Sequence, residues 1–203
     1  MDVIDAVRDD NATALSRLGS SRSLYADTGG EMERDVILAA AADAEAAAAE
    51  TFAAWADDES DPDVATAFAA TADEERNHYE TVLAELDDHD PDYVPAIQEY
   101  LRTLEATPER VGALVGRTLA AEKSKEQLIG FFVGQADTDA ADLFRSMGDD
   151  LDAQLSRAAE LLEAFDDDER QRAKAAADEA IQTAYDEYAS RLEELGVNPK
   201  PIC

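Results

Sequence analysis

Apolar residues recur every three or four positions along most of the chain, which is the spacing of amphipathic helices, and no segment alternates as a strand would. Glycine, proline and acidic breaks separate the periodic segments. Asp61-Pro62 and Thr107-Pro108 each predict a helix start, since a capping side chain followed by proline favours a first turn. The pattern predicts helices at 2–18, 20–27, 31–57, 62–86, 96–104, 108–136, 139–165 and 168–195.

The lengths of the connections predict how these helices pack. Between residues 31 and 165, the first two long helices are joined by a short turn and so are the last two, while a longer acidic loop separates the pairs. Two helical hairpins joined by a crossover form a four-helix bundle. We therefore predict an all-α four-helix bundle as a single domain, 1–203, with its core at about 31–165. The N-terminal helices, 1–30, and the C-terminal helix, 168–195, would be extensions.

Three acidic residues interrupt the apolar stripes that should face the bundle interior. Glu75 continues the stripe of the second bundle helix that includes Phe68, and His78, three residues later, lies on its flank. Glu45 takes an inward position on the first bundle helix, and Glu122 takes one on the third. We expect these side chains to converge inside the bundle.

Inward carboxylates at comparable depths need positive charge nearby. Burying a carboxylate without a partner costs several kcal/mol, so the three together predict a shared cation or several donors. A carboxylate and imidazole set suits iron, manganese or zinc. The predicted metal ligands are Glu45, Glu75, His78 and Glu122. A structural alternative stays open, because Glu75 and His78 also have the spacing of a hydrogen-bonded pair and Glu122 has Lys125 nearby.

These residues resemble the rubrerythrin-like branch of the ferritin-like superfamily, which builds a di-iron site from one Glu on each of two helices and Glu-x-x-His on each of the others. Glu45 matches the first-helix Glu, and an aromatic residue follows it by seven. Glu75 with His78 matches the second-helix Glu-x-x-His, and Glu122 matches the third-helix Glu. The resemblance covers about 35–165 and implies that the all-α bundle is a ferritin-like four-helix bundle with additional N- and C-terminal helices. It also implies a metal-binding protein with redox or peroxide chemistry.

The fourth bundle helix departs from that pattern. Leu151 takes the Glu position and Gln154 the His position; leucine cannot ligate, and an amide is a weak neutral ligand. Asp150 is adjacent but points about 100° round the helix. The Cys-x-x-Cys pairs of the rubredoxin-type module are also missing from the sequence. The resemblance therefore implies a reduced site that holds one metal ion rather than a complete di-metal centre.

The composition limits which binding partners and which cellular compartment we expect. Asp and Glu number 48 against 17 Lys and Arg, which gives a net charge of -31. Such a chain resembles acidic halophilic proteins from cytosols with molar salt, where the Debye length falls to about 3 Å. The charge argues against nucleic acid and anionic membranes as partners. With no apolar run of about 20 residues and no signal segment at the N-terminus, we expect a cytoplasmic protein.

Two functions stay open from the sequence. The first is a metal-binding protein with redox or peroxide chemistry. The second is a non-catalytic bundle that has lost its metal and acts in association or regulation, with a homodimer as the expected assembly. Cys203, the only cysteine, excludes an internal disulfide and could link two chains, while His89 in the acidic loop is expected to be solvated.

Overall fold

The computed structural model describes residues 3–199, and the regular structure in this part of the chain is all helical, with no strand. Its helices are α1 (Val3–Asp10), α2 (Ala12–Leu18), α3 (Ser21–Asp27), α4 (Arg34–Asp58), α5 (Pro62–Leu83), α6 (Ala96–Leu101), α7 (Thr107–Gly134), α8 (Thr138–Ala164) and α9 (Asp167–Glu194). The all-α prediction is confirmed. The four predicted bundle helices, α4, α5, α7 and α8, begin and end within a few residues of their expected positions.

The first predicted helix, 2–18, is instead divided into α1 and α2 at Asn11. This residue has φ −103° and ψ 13°, outside the helical range. Its side-chain amide donates to the Val7 carbonyl at 2.9 Å and to the Asp178 carboxylate of α9 at 2.7 Å. Side-chain hydrogen bonds of this kind compete with the helical ladder. The break therefore bends the N-terminal segment onto α9.

The two predicted proline starts differ in detail. The Asp61 carboxylate caps α5 by accepting from the backbone N–H of Asp63 at 2.9 Å, with Pro62 in the first position. Thr107 is the first residue of α7 rather than its cap, and its hydroxyl donates to the Glu59 carboxylate at 3.1 Å. That contact ties the start of α7 to the end of α4.

The long helices pack as a bundle of two hairpins with further helices around α7. Helix α4 packs on α5, α7 packs on α8, and α5 packs on α8, while α6 lies in the crossover between the hairpins. Helix α9 packs along α7 and is covered by α1, α2 and α3. A methyl group at Gly112 or Gly116 of α7 would overlap the carbonyls of Ala173 and Ala177, so the two backbones touch. The predicted extension is thus part of the packed fold.

The interior of the four-helix bundle contains two large apolar clusters at different heights, and a third, small cluster joins α3 to α9. One large cluster is built around Phe52, Trp55 and Phe68, and the other around Phe132 and Phe144. Between the two large clusters, all four bundle helices contribute polar side chains to what we call the polar layer. Its members are Glu45, Glu75, His78, Arg117, Thr118, Lys125 and Gln154, with Asp150 hydrogen-bonded to His78 at its edge.

Candidate metal centre

The polar layer brings together Glu45 of α4 with Glu75 and His78 of α5. Their exposed fractions are 2%, 0% and 4%. One possible ligand atom of each residue lies within 4.8 Å of those of the other two. The structure therefore gathers three of the four residues that the sequence predicts as metal ligands. This buried group could hold a metal ion.

Glu75 is bound on both oxygens by Arg117 of α7. The guanidinium donates from Nη1 to Oε1 and from Nη2 to Oε2, each at 2.6 Å. The amide of Gln154 on α8 adds a donor to Oε1, also at 2.6 Å. Burial by itself would raise the pKa of Glu75, but Arg117 and His78 outweigh it and hold that pKa well below its usual range. The charged carboxylate retains a free lone pair on Oε2.

Glu45 is satisfied on one oxygen only. The ammonium group of Lys125, itself 6% exposed, donates to Oε1 and lies 5.9 Å from the ring centre of Phe144. The other oxygen, Oε2, is buried and has no hydrogen-bond partner. Arg117 Nη2 lies 3.8 Å from it, beyond hydrogen-bond length. Glu45 thus presents one unused oxygen to the interior of the polar layer.

His78 presents an unused nitrogen to the same space. Its Nε2 lies 2.9 Å from Asp150 Oδ2, and because a carboxylate only accepts, this nitrogen carries the donated proton. Its Nδ1 lies 3.6 Å from Glu45 Oε2 and 3.8 Å from the nearest oxygen of Glu75, Oε2, and is buried without a hydrogen bond. Burial lowers the pKa of His78, but the two glutamates outweigh burial and raise it to about 10. Nδ1 is therefore a strong site for a proton or another cation.

Glu122 does not join the group, and its predicted inward orientation is wrong. Its side chain is 20% exposed and pairs with Arg8 of α1, with 3.3 Å between Arg8 Nη2 and Glu122 Oε1. Burial raises the pKa of the Glu122 carboxyl, with Arg8 opposing. Lys125 takes the interior position at this depth of α7, since it follows the buried Thr118 by seven residues and so shares its face of the helix. Helix α7 thus supplies a cation where the resemblance implied a carboxylate.

Helix α8 contributes to the polar layer but does not supply the Glu and His ligands that the resemblance implies for the fourth bundle helix. Leu151 is buried, as its position on the stripe implies. Gln154 is also buried, and its amide oxygen accepts from the hydroxyl of Thr118 at 3.1 Å. Asp150 reaches His78 from the flank of α8, even though it points away from the stripe that contains Leu151. Its contact orients the imidazole.

Arg117 and Lys125 are the residues that sequence reasoning did not assign. A signal was present for Arg117, because the chain has only 17 Lys and Arg and this one lies among apolar residues of α7, whereas Lys125 lies in the polar segment EKSKEQ and gave no such signal. Buried cations in so acidic a chain indicate buried acidic partners. Which carboxylate each cation reaches depends on helix packing, which the sequence does not specify.

The sequence predicted that His89 is solvated, but the structure pairs it with a carboxylate. Its Nε2 lies 2.6 Å from Oδ1 of Asp43, a buried carboxylate on α4. Burial raises the pKa of Asp43, with His89 opposing it. The pair fastens the loop after α5 to α4. Cys203 lies outside the described residues.

Comparisons with known proteins do not place the chain in a family. No family model matches it, and neither a protein of curated function nor a solved structure shows significant similarity. Among the helices of residues 3–199, none combines the length and the apolar character needed to cross a membrane. The function must therefore be argued from the polar layer.

Proposed function

We propose that this chain is a ferritin-like, rubrerythrin-related protein of the cytoplasm that binds one divalent metal ion through Glu45, Glu75 and His78. The observation that carries the proposal is the pair of unused atoms in the polar layer. Glu45 Oε2 and His78 Nδ1 are both buried and unpartnered, and they face each other across 3.6 Å. Leaving such groups unsatisfied costs about 1–3 kcal/mol each, which a shared cation would offset.

The spacing of these atoms fits a metal ion better than a direct hydrogen bond. Distances of 3.6 and 3.8 Å from His78 Nδ1 to the two glutamates exceed normal hydrogen-bond lengths. Two ligands bound at about 2.1 Å to one ion are separated by roughly 3–4 Å. The contact of Asp150 with His78 Nε2 also supports the proposal, because a carboxylate commonly holds the far nitrogen of a metal-bound imidazole.

The neighbouring side chains favour one ion rather than two. Leu151 and Gln154 take the positions where the resemblance implies a second Glu-x-x-His. Lys125 and Arg117 already neutralise one oxygen of Glu45 and both oxygens of Glu75. Iron or manganese would supply one-electron chemistry toward peroxide, and zinc would supply Lewis acidity alone. The chain itself holds the Glu75 carboxylate ionised, orients the imidazole and excludes bulk water.

Elemental analysis of protein purified in molar KCl and loaded separately with Fe(II), Mn(II) or Zn(II) tests the proposal. We expect about one ion per chain for at least one metal in the wild type. Glu45→Gln and His78→Gln should lose it, because each removes a ligand at nearly constant volume. Glu122→Gln is the matched control and should bind as the wild type does. Equal loading in all four proteins would refute the assignment of the ligands.

A second candidate is the non-catalytic bundle, and the contact of Arg117 with Glu75 favours it. With a proton on His78, the layer contains three positive and three negative groups: Arg117, Lys125, His78, Glu45, Glu75 and Asp150. Such a layer is neutral without metal and would fix the register of the helices, leaving the surface for association, for instance as a homodimer. Protein that folds fully and takes up none of the three metals supports this candidate.

A further inference from the structure

A cavity of about 170 Å³ lies beside the polar layer, between α3, α4, α7, α9 and the segment 93–98. Its wall is mostly aliphatic and includes Leu18, Leu24, Ile37, Ala44, Ile97 and Leu128. An engineered apolar cavity of about 150 Å³ holds benzene, whereas drug-sized ligands need roughly 300–1,000 Å³. The space therefore suits a molecule of about six to eight heavy atoms with an apolar body.

Gln98 of α6 gives this cavity an unsatisfied hydrogen-bond acceptor. The residue is 2% exposed and lines the cavity, and its Oε1 is buried with no hydrogen-bond partner. An amide oxygen accepts and does not donate, so only a donor can satisfy it. Because the side chain is held inside the fold, the missing partner points to a ligand that carries an N–H or O–H group.

The charged groups of the wall favour a cationic donor. The cations there are already engaged: Arg117 with Glu75, Lys125 with Glu45, and Arg191 with Glu187 at 3.1 Å. An anionic ligand would have to displace one of these carboxylates.

Asp27 is the acid of the wall that remains available to a ligand. It makes no side-chain hydrogen bond or ion pair within 4.0 Å to the described residues. Asp27 is an exposed residue that also lines the cavity, so a ligand can reach its carboxylate from solvent. A cationic ligand would stabilise the ionised form of this carboxyl, and the net charge of -31 attracts cations to the whole molecule.

We propose that this cavity binds a small primary amine in its ammonium form, with the apolar body among the aliphatic residues and the ammonium group donating to Gln98 and Asp27. The proposal is independent of the metal centre, although the cavity ends at Glu45, Arg117 and Lys125. A bound amine would therefore lie next to the candidate metal ligands.

Calorimetric titration of wild-type protein in molar KCl at pH 7 tests the proposal with three probes of equal chain length: n-pentylamine, 1-pentanol and pentanoate. We expect pentylamine to bind at least about tenfold more tightly than pentanoate, since only the amine both donates and carries positive charge. Pentanol should lie between them. Pentanoate binding as tightly as pentylamine would overturn the proposal.

Variants locate the binding and separate the contributions. Asp27→Asn should weaken pentylamine about tenfold and leave pentanol nearly unchanged, while Gln98→Met should weaken both. Ala44→Leu fills the cavity and should abolish binding of all probes. Gln182→Met, on the exposed face of α9, is the control for Gln98→Met and should change nothing. Unchanged affinity in Ala44→Leu would place the amine elsewhere and refute the site.

Three outcomes separate this proposal from the metal proposal. If Glu45→Gln loses metal but still binds pentylamine, both proposals stand and the sites are independent. If no protein takes up metal but the wild type prefers pentylamine and Ala44→Leu does not bind it, the cavity proposal stands alone. If the wild type takes up metal but shows no preference for pentylamine, the metal proposal stands alone and the cavity proposal is refuted.

Discussion

Replacing Arg117 by methionine tests whether buried cations hold the polar layer together. Arg117 and Glu75 have side chains that are 6% and 0% exposed, and their forked contact has both distances at 2.6 Å. Methionine keeps much of the apolar stem but removes the charge and the donors. Glu75 would then keep only the amide of Gln154 as its close donor. The substitution leaves a buried carboxylate without its main counter-charge.

The expected cost follows from this burial. Breaking a buried ion pair by removing one partner costs about 3–5 kcal/mol, because the remaining charge stays desolvated. For a domain of about 200 residues, each 1 kcal/mol lowers Tm by roughly 2–4 °C, so a fall on the order of 10 °C is expected. Removing both charges in Arg117→Met with Glu75→Gln should recover most of that loss, because no uncompensated charge remains.

Urea denaturation in molar KCl measures the free energy of unfolding for the wild type, both single variants and the double variant. We expect a coupling energy of about 2–4 kcal/mol between the two positions. Arg157→Met is the matched control: Arg157 and Glu74 also pair, but their side chains are 25% and 20% exposed. That variant should lose about 1 kcal/mol or less. Equal losses in the two methionine variants, or a double variant that loses the sum of the singles, would refute the reasoning.

Three further predictions concern α7, His78 and Lys125. Gly112→Ala should destabilise the fold by about 1–3 kcal/mol, because the added methyl overlaps the carbonyl of Ala173. Gly130→Ala should stabilise it by about 0.5–1 kcal/mol, because its added methyl meets nothing within 4 Å. Thermal melts of the two variants and the wild type measure both effects. In metal-free protein, the raised pKa of His78 stabilises the folded state by a few kcal/mol, fully below pH 6.5 and progressively less as pH rises through about 10. The free energies of unfolding of wild type and His78→Gln, measured by urea titration, should therefore converge over that range. A constant difference would refute the assignment. Lys125→Met should bind Zn(II) at least about tenfold more tightly than the wild type, because it removes a competing cation from Glu45, and unchanged affinity would contradict that competition.

Much of the fold could be predicted because local chemistry specifies it. Stripes of apolar residues and proline starts placed α4, α5, α7 and α8 within a few residues. The break at Asn11 was missed because one of its hydrogen bonds is to Asp178, a residue distant in sequence. The close packing of α9 on α7 was also missed, because glycine spacing alone does not identify the partner helix.

The site was predicted in part for a related reason. On α5 one face of the helix is buried beside the candidate ligands, so the stripe located Glu75 and His78 correctly in the interior. Glu45 is also in the interior, although α4 is buried on more than one face around it. On α7 nearly every residue from 111 to 119 is buried, since this helix packs against α8 on one side and α9 on another. An apolar stripe on such a helix does not show which face meets the polar layer, and Glu122 was therefore assigned to the wrong face.

Anomalous diffraction from a crystal of metal-loaded protein tests the central claim most directly. The account predicts a single strong peak in the polar layer, about 2.0–2.3 Å from Glu45 Oε2, Glu75 Oε2 and His78 Nδ1, with Asp150 still bound to His78 Nε2. A crystal of loaded protein with its metal elsewhere, and with His78 Nδ1 closed onto Glu45 in a hydrogen bond, would contradict it.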